Sequence, residues 1–580
     1  MTEERAKVLS SLFAALRSRH RGCFVFKTCE NESMLGKEVF LLTRPQKQRG
    51  LFSVSWFYPN TYAVGMAGLG YQLVWRLLDQ DADVFVRRGF TDIEEPGETA
   101  ELFGFTVSWE LDYLNVMKVL QEHDIGVTAN ERTENAPIVF GGGPVLSANP
   151  EPFADLFDVI LIGDAETAVP AFIASWKEAR KLKSRRERLE YLSTTAGVYV
   201  PSLYTCQYSD VDNQLISIKP NSGLAPAHIQ KQIFAPPADY VAHSVILSPD
   251  TTWGDMFLAE IARSCPQECR FCLASYLTRP FRPGNVDAIM NAIDLGLQHT
   301  KKIGLLGPSV TEHPQFDKIA DALLLRPETQ VSIASIRADT VSDNVLKMLR
   351  GLGQRSVTIA IESGSERLRA IMKKNLTQDE IEHAINLLDT HGFESVKLYG
   401  IAGLPHELDS DLTQTIDLLQ KLKKSHKRMR IVFGISSFVP KAQTPFQRYG
   451  RDKRAGEKLE HVRKNLARVG VDVRPESHNW SDIQAALSRA DRRISPVLID
   501  AARTGGKLGD WKRAFRNRPK STPDMEYYAF RTMAVDETMP WAHLMESHKQ
   551  EFLEKHLNAA SALADQNPAQ ELSGAGLKSL

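Results

Sequence analysis

The sequence of 580 residues is too long for one hydrophobic core, so its length predicts several domains. Its 43% hydrophobic and 24% charged residues are typical of a globular protein and argue against the disordered, collagenous and membrane classes. The 71 basic and 71 acidic residues cancel, so no overall charge supports nucleic-acid binding. Without a secretory signal pattern or a bilayer-spanning apolar run, the sequence predicts a cytoplasmic protein that has no membrane partner.

The first half of the chain predicts a doubly wound α/β domain over residues 51–195. It follows an N-terminal extension, residues 1–50, in which we expect a helix at 8–16 and a strand at 24–26. Strand patterns then alternate with helical apolar spacing, which favours a parallel sheet. The predicted strands are 52–57, 83–87, 102–108, 137–140 and 159–162, and the predicted helices include 65–78 and 111–120. Ligands bind such sheets beyond the carboxyl ends of the strands.

A second alternation predicts a partial (βα)6 barrel over residues 251–450, after a helical stretch at 171–191 and a connector at 196–250. Its predicted strands are 256–261, 302–306, 330–333, 356–361, 395–400 and 430–438. The working face of such a barrel again lies at the carboxyl ends of its strands. Beyond it we expect a helical C-terminal region at 451–545 and a flexible tail at 546–580.

Three of the six cysteines, Cys265, Cys269 and Cys272, fall in one short loop after the first barrel strand. This Cys-x3-Cys-x2-Cys spacing suits a 4Fe-4S cluster in which three irons each take one thiolate and the fourth iron stays open to a small ligand. A structural zinc site would need a fourth donor, and the nearest histidines, His299 and His313, follow a different strand. The pattern therefore favours a cluster over zinc.

This triad, with Phe271 before its last cysteine, resembles the signature of the radical S-adenosylmethionine (SAM) superfamily. The resemblance implies that SAM binds the open iron and is cleaved to a 5′-deoxyadenosyl radical, with a flavodoxin- or ferredoxin-type protein as electron donor. It further implies SAM contacts at Phe271 and on the third, fourth and fifth barrel strands. These are Ser335, Arg337, Glu362, Ser363, Gly364, Gly403 and Pro405. The family often carries Gly-Gly-Glu after the second strand for the methionyl amine, whereas this chain has Gly307-Pro308-Ser309.

The preceding doubly wound domain is similar to that of the cobalamin-binding branch of the superfamily, in an uncharacterised subgroup. Motifs at 58–62, 149–152, 162–164 and 438–446 carry this second resemblance. It implies cobalamin contacts at Asn60, Tyr62, Gly65, Ser108, Gly141, Gly142, Gly143, Gly163 and Glu166. The Asp-x-His-x-x-Gly loop that supplies an axial histidine in many relatives is absent. Either cobalamin binds without a histidine ligand, or the domain keeps the fold and has lost the cofactor.

The two resemblances together imply radical methylation of an unactivated carbon in an organic substrate that no motif identifies. Cobalamin-assisted cyclisation or rearrangement is an alternative. Methylthiotransfer would need a second cluster, and residues 51–200 contain no cysteine. A non-catalytic iron-sulfur redox sensor is the remaining alternative, in which a cluster is bound but SAM is not cleaved.

Overall fold

The computed structural model describes residues 37–47, 52–97 and 100–566. The helix predicted at 8–16 and the strand predicted at 24–26 lie outside these residues. Within the described part of the chain, no helix combines the length and apolar character that a membrane crossing requires.

The first half of the described chain alternates strands and helices as the sequence predicts. Its strands are β1 (Val39–Phe40), β2 (Phe52–Phe57), β3 (Val84–Gly89), β4 (Leu102–Thr106), β5 (Ile138–Gly142), β6 (Val159–Leu161), β7 (Val198–Tyr199), β8 (Tyr204–Tyr208), β9 (Leu215–Pro220) and β10 (Ile246–Leu247). Its helices are α1 (Tyr62–Gly65), α2 (Leu69–Asp79), α3 (Tyr113–Glu122), α4 (Pro144–Ala148), α5 (Ala165–Ala179) and α6 (Arg185–Ser193).

Six of these strands form one sheet in the order β3-β2-β4-β5-β6-β7, parallel except for β7. β4 is buried along its whole length, as expected for a strand that helices cover on both faces. The helical stretch predicted at 171–191 is present as two helices, α5 and α6. Ser184 caps the second helix, α6, in a capping box with Glu187, so a new helix begins at that point.

The second half forms an open barrel of parallel strands, with a short antiparallel pair on either side of the cysteine loop. Its strands are β11 (Phe257–Glu260), β12 (Ala262–Arg263), β13 (Arg282–Pro283), β14 (Lys302–Leu306), β15 (Gln330–Ile333), β16 (Ser356–Glu362), β17 (Ser395–Ala402), β18 (Arg430–Ser437) and β19 (Asp472–Pro475). The antiparallel pair is β12 with β13. Its helices are α7 (Leu273–Leu277), α8 (Val286–Leu297), α9 (Phe316–Leu324), α10 (Asp343–Gly351), α11 (Glu366–Ile371), α12 (Gln378–Thr390), α13 (Asp409–Ser425) and α14 (Ala455–Ala467).

The barrel strands form two sheets, β11-β14-β15 and β16-β17-β18-β19, joined by a parallel bridge between Ile336 and Ile359. Strand β19 extends the six predicted strands by one, in a stretch for which only helix was expected. Its four residues are half-buried or exposed, so they show no apolar alternation from which a strand could be predicted.

The C-terminal region is helical, as predicted, with α15 (His478–Arg489), α16 (Ser495–Arg503), α17 (Leu508–Asn517) and α18 (Ser547–Gln566). Helices α15 to α17 pack into the hydrophobic core of the first sheet, and α15 also contacts strand β18 of the barrel. Trp511 of α17, for example, is fully buried against Tyr113 of α3. The first sheet and the C-terminal helices therefore share one hydrophobic core, and the barrel has another.

The flexible tail predicted at 546–580 is wrong over residues 547–566, which form α18. Ala560 on this helix is fully buried in a small apolar cluster with Leu368 and Ile371 of α11. The alanine- and serine-rich sequence of α18 has a weak apolar stripe, but small side chains allow close helix packing. Residues 567–580 lie outside the described chain.

Replacing Ala560 with aspartate should destabilise the protein, because it places an unpaired charge in this apolar cluster. We expect a loss of roughly 3 kcal/mol in the free energy of unfolding, measured by denaturant titration. Ala559, the exposed neighbour on the same helix, provides the matched control. An equal response of Ala560→Asp and Ala559→Asp would show that α18 does not pack as described.

Candidate active site

The loop between β12 and α7 carries the three cysteines. Cys272 is the N-cap residue of α7, and its backbone N–H donates to the carbonyl oxygen of Cys269 at 2.9 Å, which closes the second turn of the loop. Burial raises the pKa of Cys265, Cys269 and Cys272, that of Cys269 to about 12, and the neighbouring Cys272 adds to the effect on the other two. The three thiols therefore lie in one poorly solvated loop, with Cys272 near enough to influence the other two.

These cysteines fit one thiolate per iron better than a shared single ion. Among residues 37–47, 52–97 and 100–566, no three His, Cys, Asp or Glu side chains are grouped closely enough to hold one metal ion. A cubane cluster does not require such a group, because each of its irons takes one cysteine. Metal coordination would also supply the positive charge that buried thiolates need.

The C-terminal end of helix α11 holds the cysteine loop in place. The backbone N–H of Arg270 donates to the carbonyl oxygen of Met372 at 2.9 Å, and its guanidinium donates to the carbonyl oxygens of Ala370 and Ile371. An arginine is well suited to this position, because the last carbonyls of a helix lack intrahelical partners. Phe271 packs into the apolar cluster that includes α11, so its observed role is to anchor the loop.

Glu312 is a site residue that the sequence analysis missed. It lies on a short turn after β14, in the stretch that follows the Gly307-Pro308-Ser309 departure. The Gln267 side chain donates to its carboxylate, the Cys265 sulfur lies 3.8 Å from Oε2, and Arg337 lies 3.8 Å from Oε1. The expected carboxylate is therefore present at the cysteine loop, but a few residues later in the sequence than the motif places it.

Glu362 and Lys374 form a buried pair on the other side of Cys269. Lys374 Nζ lies 3.2 Å from Glu362 Oε1, and both side chains are about one-tenth exposed. Glu362 has a left-handed backbone, with φ of 63°, at a bulge that ends β16 and turns its side chain out of the strand pattern. Although burial opposes it, the Glu362 carboxylate raises the pKa of Lys374. A charged pair thus borders the cysteines at the strand end predicted for SAM.

Two of the predicted SAM residues, Gly364 and Ser363, pack closely against a neighbouring helix. The Gly364 N–H donates to Thr415 Oγ1 at 2.8 Å, and a Cβ at Gly364 would lie 2.4 Å from the Thr415 Cα. The Ser363 hydroxyl also lies 3.3 Å from Thr415 Oγ1. Both residues therefore face helix α13, which explains the small side chains by close strand-to-helix packing.

The remaining predicted SAM residues lie at the carboxyl ends of neighbouring strands. Arg337 is buried and makes a bidentate ion pair with Asp339. Gly403 has a positive φ of 75° and donates its N–H to Glu407 at 2.7 Å. Pro405 is buried, and Ser335 is half-buried beside the bridge that joins the two barrel sheets.

A cavity of about 610 Å³ adjoins the cysteine loop. Ser264 and Leu273, the residues that flank the cysteine triad, form part of its wall. Aromatic side chains also line it, among them Trp56 of β2, Phe140 of β5 and Tyr71 at the start of α2. This volume lies in the range of small-molecule and cofactor sites, and the mostly apolar lining with a few charged groups is typical of them.

Five of the nine residues predicted to contact cobalamin line this cavity: Ser108, Gly142, Gly143, Gly163 and Glu166. At Gly142 a Cβ would meet nothing nearer than 3.8 Å, so this glycine opens onto free space. At Gly143 and Gly163 a Cβ would instead collide with the backbone of Val107 and Gln232. Those two glycines thus serve close backbone packing beside the cavity.

The other four predicted residues do not line the cavity. A Cβ at Gly65 would strike Phe90, and one at Gly141 would strike Leu146 and Phe157 at 2.7 Å. The Tyr62 hydroxyl donates to Glu38. Asn60 donates to Asp112 at 3.3 Å. Packing and local hydrogen bonds explain these four residues, and the motif resemblance alone could not separate such roles from ligand contacts.

Glu166 connects the first sheet to the cysteine loop. It begins helix α5 and accepts two hydrogen bonds from Arg263, at 2.7 and 3.0 Å. Arg263 also contacts Glu260, while Arg282 donates to Asp164 at 2.6 Å. Glu260 and Glu166 raise the pKa of Arg263 although burial opposes them. This charge network brings the carboxyl edge of the first sheet against the strand that leads into Cys265.

Two family models match parts of the chain. Residues 259–419 match the family model described as the Radical SAM superfamily, and residues 90–201 match the model for Radical SAM proteins, N-terminal. The chain is 28% identical to the uncharacterized protein MJ0966 of Methanocaldococcus jannaschii. The alignment spans 448 residues, which are 77% of this chain and 90% of that relative.

More distant similarities join these. The threonylcarbamoyladenosine tRNA methylthiotransferase MtaB of Aquifex aeolicus is 19% identical over 269 residues, covering 43% of this chain and 62% of that enzyme. Among solved structures, the cobalamin-dependent S-adenosylmethionine radical enzyme OxsB with aqua-cobalamin and S-adenosylmethionine bound is 14% identical. The superposition covers 89% of this chain and 72% of OxsB, with a TM-score of 0.44.

Alanine substitution of two adjacent glycines should separate packing from cavity lining. Gly141→Ala should lower the midpoint of thermal unfolding by several degrees, because its Cβ would lie 2.7 Å from Leu146 and Phe157. Gly142→Ala should leave it nearly unchanged, because the new methyl group enters the cavity. Differential scanning calorimetry measures both, and equal destabilisation would contradict this placement of the cavity.

Proposed function

This chain belongs to the radical SAM superfamily, and from that premise we propose that it is a cobalamin-dependent enzyme that methylates an unactivated carbon. The observation that carries the proposal is the cavity of about 610 Å³, which is lined by Ser264 and Leu273 on either side of the cysteine triad and by the carboxyl edge of the first sheet. Such an edge is where doubly wound sheets bind their ligands. One space thus adjoins both proposed cofactor positions.

The cofactors would supply the reactive chemistry, namely a 5′-deoxyadenosyl radical from SAM at the reduced cluster and a methyl group from cobalamin. Cys265, Cys269 and Cys272 would each hold one iron. Because the cavity walls include apolar residues such as Leu273 and Leu277, the chain would exclude water from the reacting groups. A flavodoxin- or ferredoxin-type protein is the proposed electron donor.

We assign the contact to the methionyl amine of SAM to Glu312. Its carboxylate lies beside Cys265, and its side chain is only 8% exposed. A buried carboxylate needs cationic or N–H partners. Gln267 and Arg337 provide some of them, and an ammonium group would add a charge-assisted bond. Glu312 would thus take the place of the glutamate that the usual motif supplies.

Methylthiotransfer to tRNA is the second candidate, because relatives with that activity match this chain. It requires a second cluster, and the described cysteine outside the triad is poorly suited to hold one. Cys206 is the one cysteine outside the triad among the described residues, and a cluster needs a thiolate for each of several irons. Iron and sulfide content near two clusters per chain would favour this candidate over methylation. Product mass separates methylation from cyclisation or rearrangement.

The first test is anaerobic reconstitution with iron, sulfide and hydroxocobalamin, followed by reductant and SAM. We expect 5′-deoxyadenosine by mass spectrometry and bound corrinoid by its visible spectrum. Cys269→Ala should abolish deoxyadenosine and lower the bound iron, because the cluster loses one of its three thiolates. Cys206→Ala should retain both signals. Deoxyadenosine without bound corrinoid would refute the cobalamin mechanism, and no deoxyadenosine at all would favour a redox sensor.

Glu312→Gln should weaken SAM binding about tenfold, because it removes one charge-assisted hydrogen bond. Isothermal titration calorimetry of the reconstituted protein measures this change, and iron content should stay that of the unsubstituted protein. Glu328→Gln, at an exposed glutamate after helix α9, is the matched control. Unchanged SAM affinity in Glu312→Gln would show that another group meets the amine.

A further inference from the structure

Two lysines from distant parts of the chain meet at one edge of the cavity. Lys231, in the segment between β9 and β10, lines the cavity and donates to the carbonyl oxygen of Leu277. Lys549 of helix α18 donates to Gln443 Oε1. The Gln443 amide in turn donates to the carbonyl oxygens of Ser147 and Ala148, each at 2.8 Å. Leu277 and Ser147 both line the cavity, so Lys231 and the Gln443 amide that Lys549 contacts are held at its wall. Lys231 also repels the charged form of Lys549, which makes the two lysines neighbours.

Neither lysine has an acidic partner of its own. In the described chain no ion pair involves Lys231 or Lys549, and the nearby Asp164 is bound to Arg282 and Arg263. Burial lowers the pKa of Lys231 to about 8, since the attraction of Asp164 does not compensate for it. Burial and the repulsion of Lys231 lower the pKa of Lys549 to about 7. Two poorly solvated amine groups therefore lie near one another, and the attraction of Asp164 and Glu546 does not offset the burial that opposes their charged forms.

We propose that Lys231 and Lys549 form a binding site for a phosphate group at this edge of the cavity. A phosphate offers several acceptor oxygens, so it can bridge two ammonium groups that come from different segments. It would also supply the missing negative charge. Its source is either the phosphodiester in the nucleotide tail of cobalamin or a phosphate on the substrate. The first source rests on the function proposed above, and the second does not.

The first arm of the test compares hydroxocobalamin with cobinamide, a corrinoid that lacks the nucleotide tail and its phosphate. The full chain with its cluster reconstituted is titrated with each, and binding is read from the corrinoid visible spectrum. If cobalamin supplies the phosphate, the chain should bind it at least about tenfold more tightly than cobinamide. Lys231→Met should remove most of that preference, and Lys231→Arg should preserve it. Lys118→Met, at an exposed lysine on α3, is the control.

The second arm uses inorganic phosphate and pyrophosphate as probes, with the midpoint of thermal unfolding as the readout. If the substrate supplies the phosphate, the two corrinoids should bind alike or not at all. The probes should then raise the unfolding midpoint of the unsubstituted chain but not that of Lys231→Met or Lys549→Met. Circular dichroism of each variant before titration shows whether it is folded.

The outcomes separate this proposal from the function on which it partly rests. Equal binding of both corrinoids with no response to phosphate would overturn the phosphate site and leave the cobalamin enzyme standing. A lysine-dependent response to phosphate without any corrinoid binding would support the site and refute the cobalamin mechanism. Binding of neither corrinoid nor phosphate would overturn both.

Discussion

The contact between Arg263 and Glu166 determines how the two halves of this protein meet. Glu166 begins helix α5 at the carboxyl edge of the first sheet, and Arg263 lies two residues before Cys265. Because both side chains are largely buried, breaking the pair would leave a charge without a partner in a poorly solvated place. A second ion pair, between Asp164 and Arg282 of β13, also joins the two halves. These bonds fix the distance between the cysteine loop and the sheet edge, and thereby the size of the cavity between them.

The buried ion pairs are better explained by positioning than by stability. A buried pair rarely stabilises a fold more than apolar residues of the same volume would, since desolvation offsets its attraction. It does, however, favour one arrangement of its partners, because only that arrangement satisfies every charge. Arg263 contacts Glu166 across the junction and Glu260 on its own side, so a shift of the barrel against the sheet would break bonds on one side. Precise placement is what a site for radical chemistry requires.

Much of the fold could be predicted from the sequence, because long apolar strands between amphipathic helices have a clear period. Strands β2, β14 and β15 have the bounds that the pattern predicts. The cysteine spacing likewise predicted the loop that faces the cavity. Strand β19 and helix α18 were missed, because tertiary packing stabilises them rather than an apolar repeat. Among the site residues, Glu312 was missed because a turn shifts it along the sequence. Gly364 and Gly141 are also required by close packing, and a sequence does not separate that requirement from a ligand contact.

The cavity combines segments that are far apart in the chain, and this explains why local motifs describe it incompletely. The first sheet and the residues that flank the cysteine triad line it, while Lys231 comes from the connector and Lys549 approaches from the last described helix. Each segment buries charged side chains beside the cavity, and this burial costs free energy of folding. Such local costs are typical of functional sites. Here the desolvated groups lie around one cavity. The space that adjoins the cysteine triad therefore also has two poorly solvated lysines, Lys231 and Lys549, beside it.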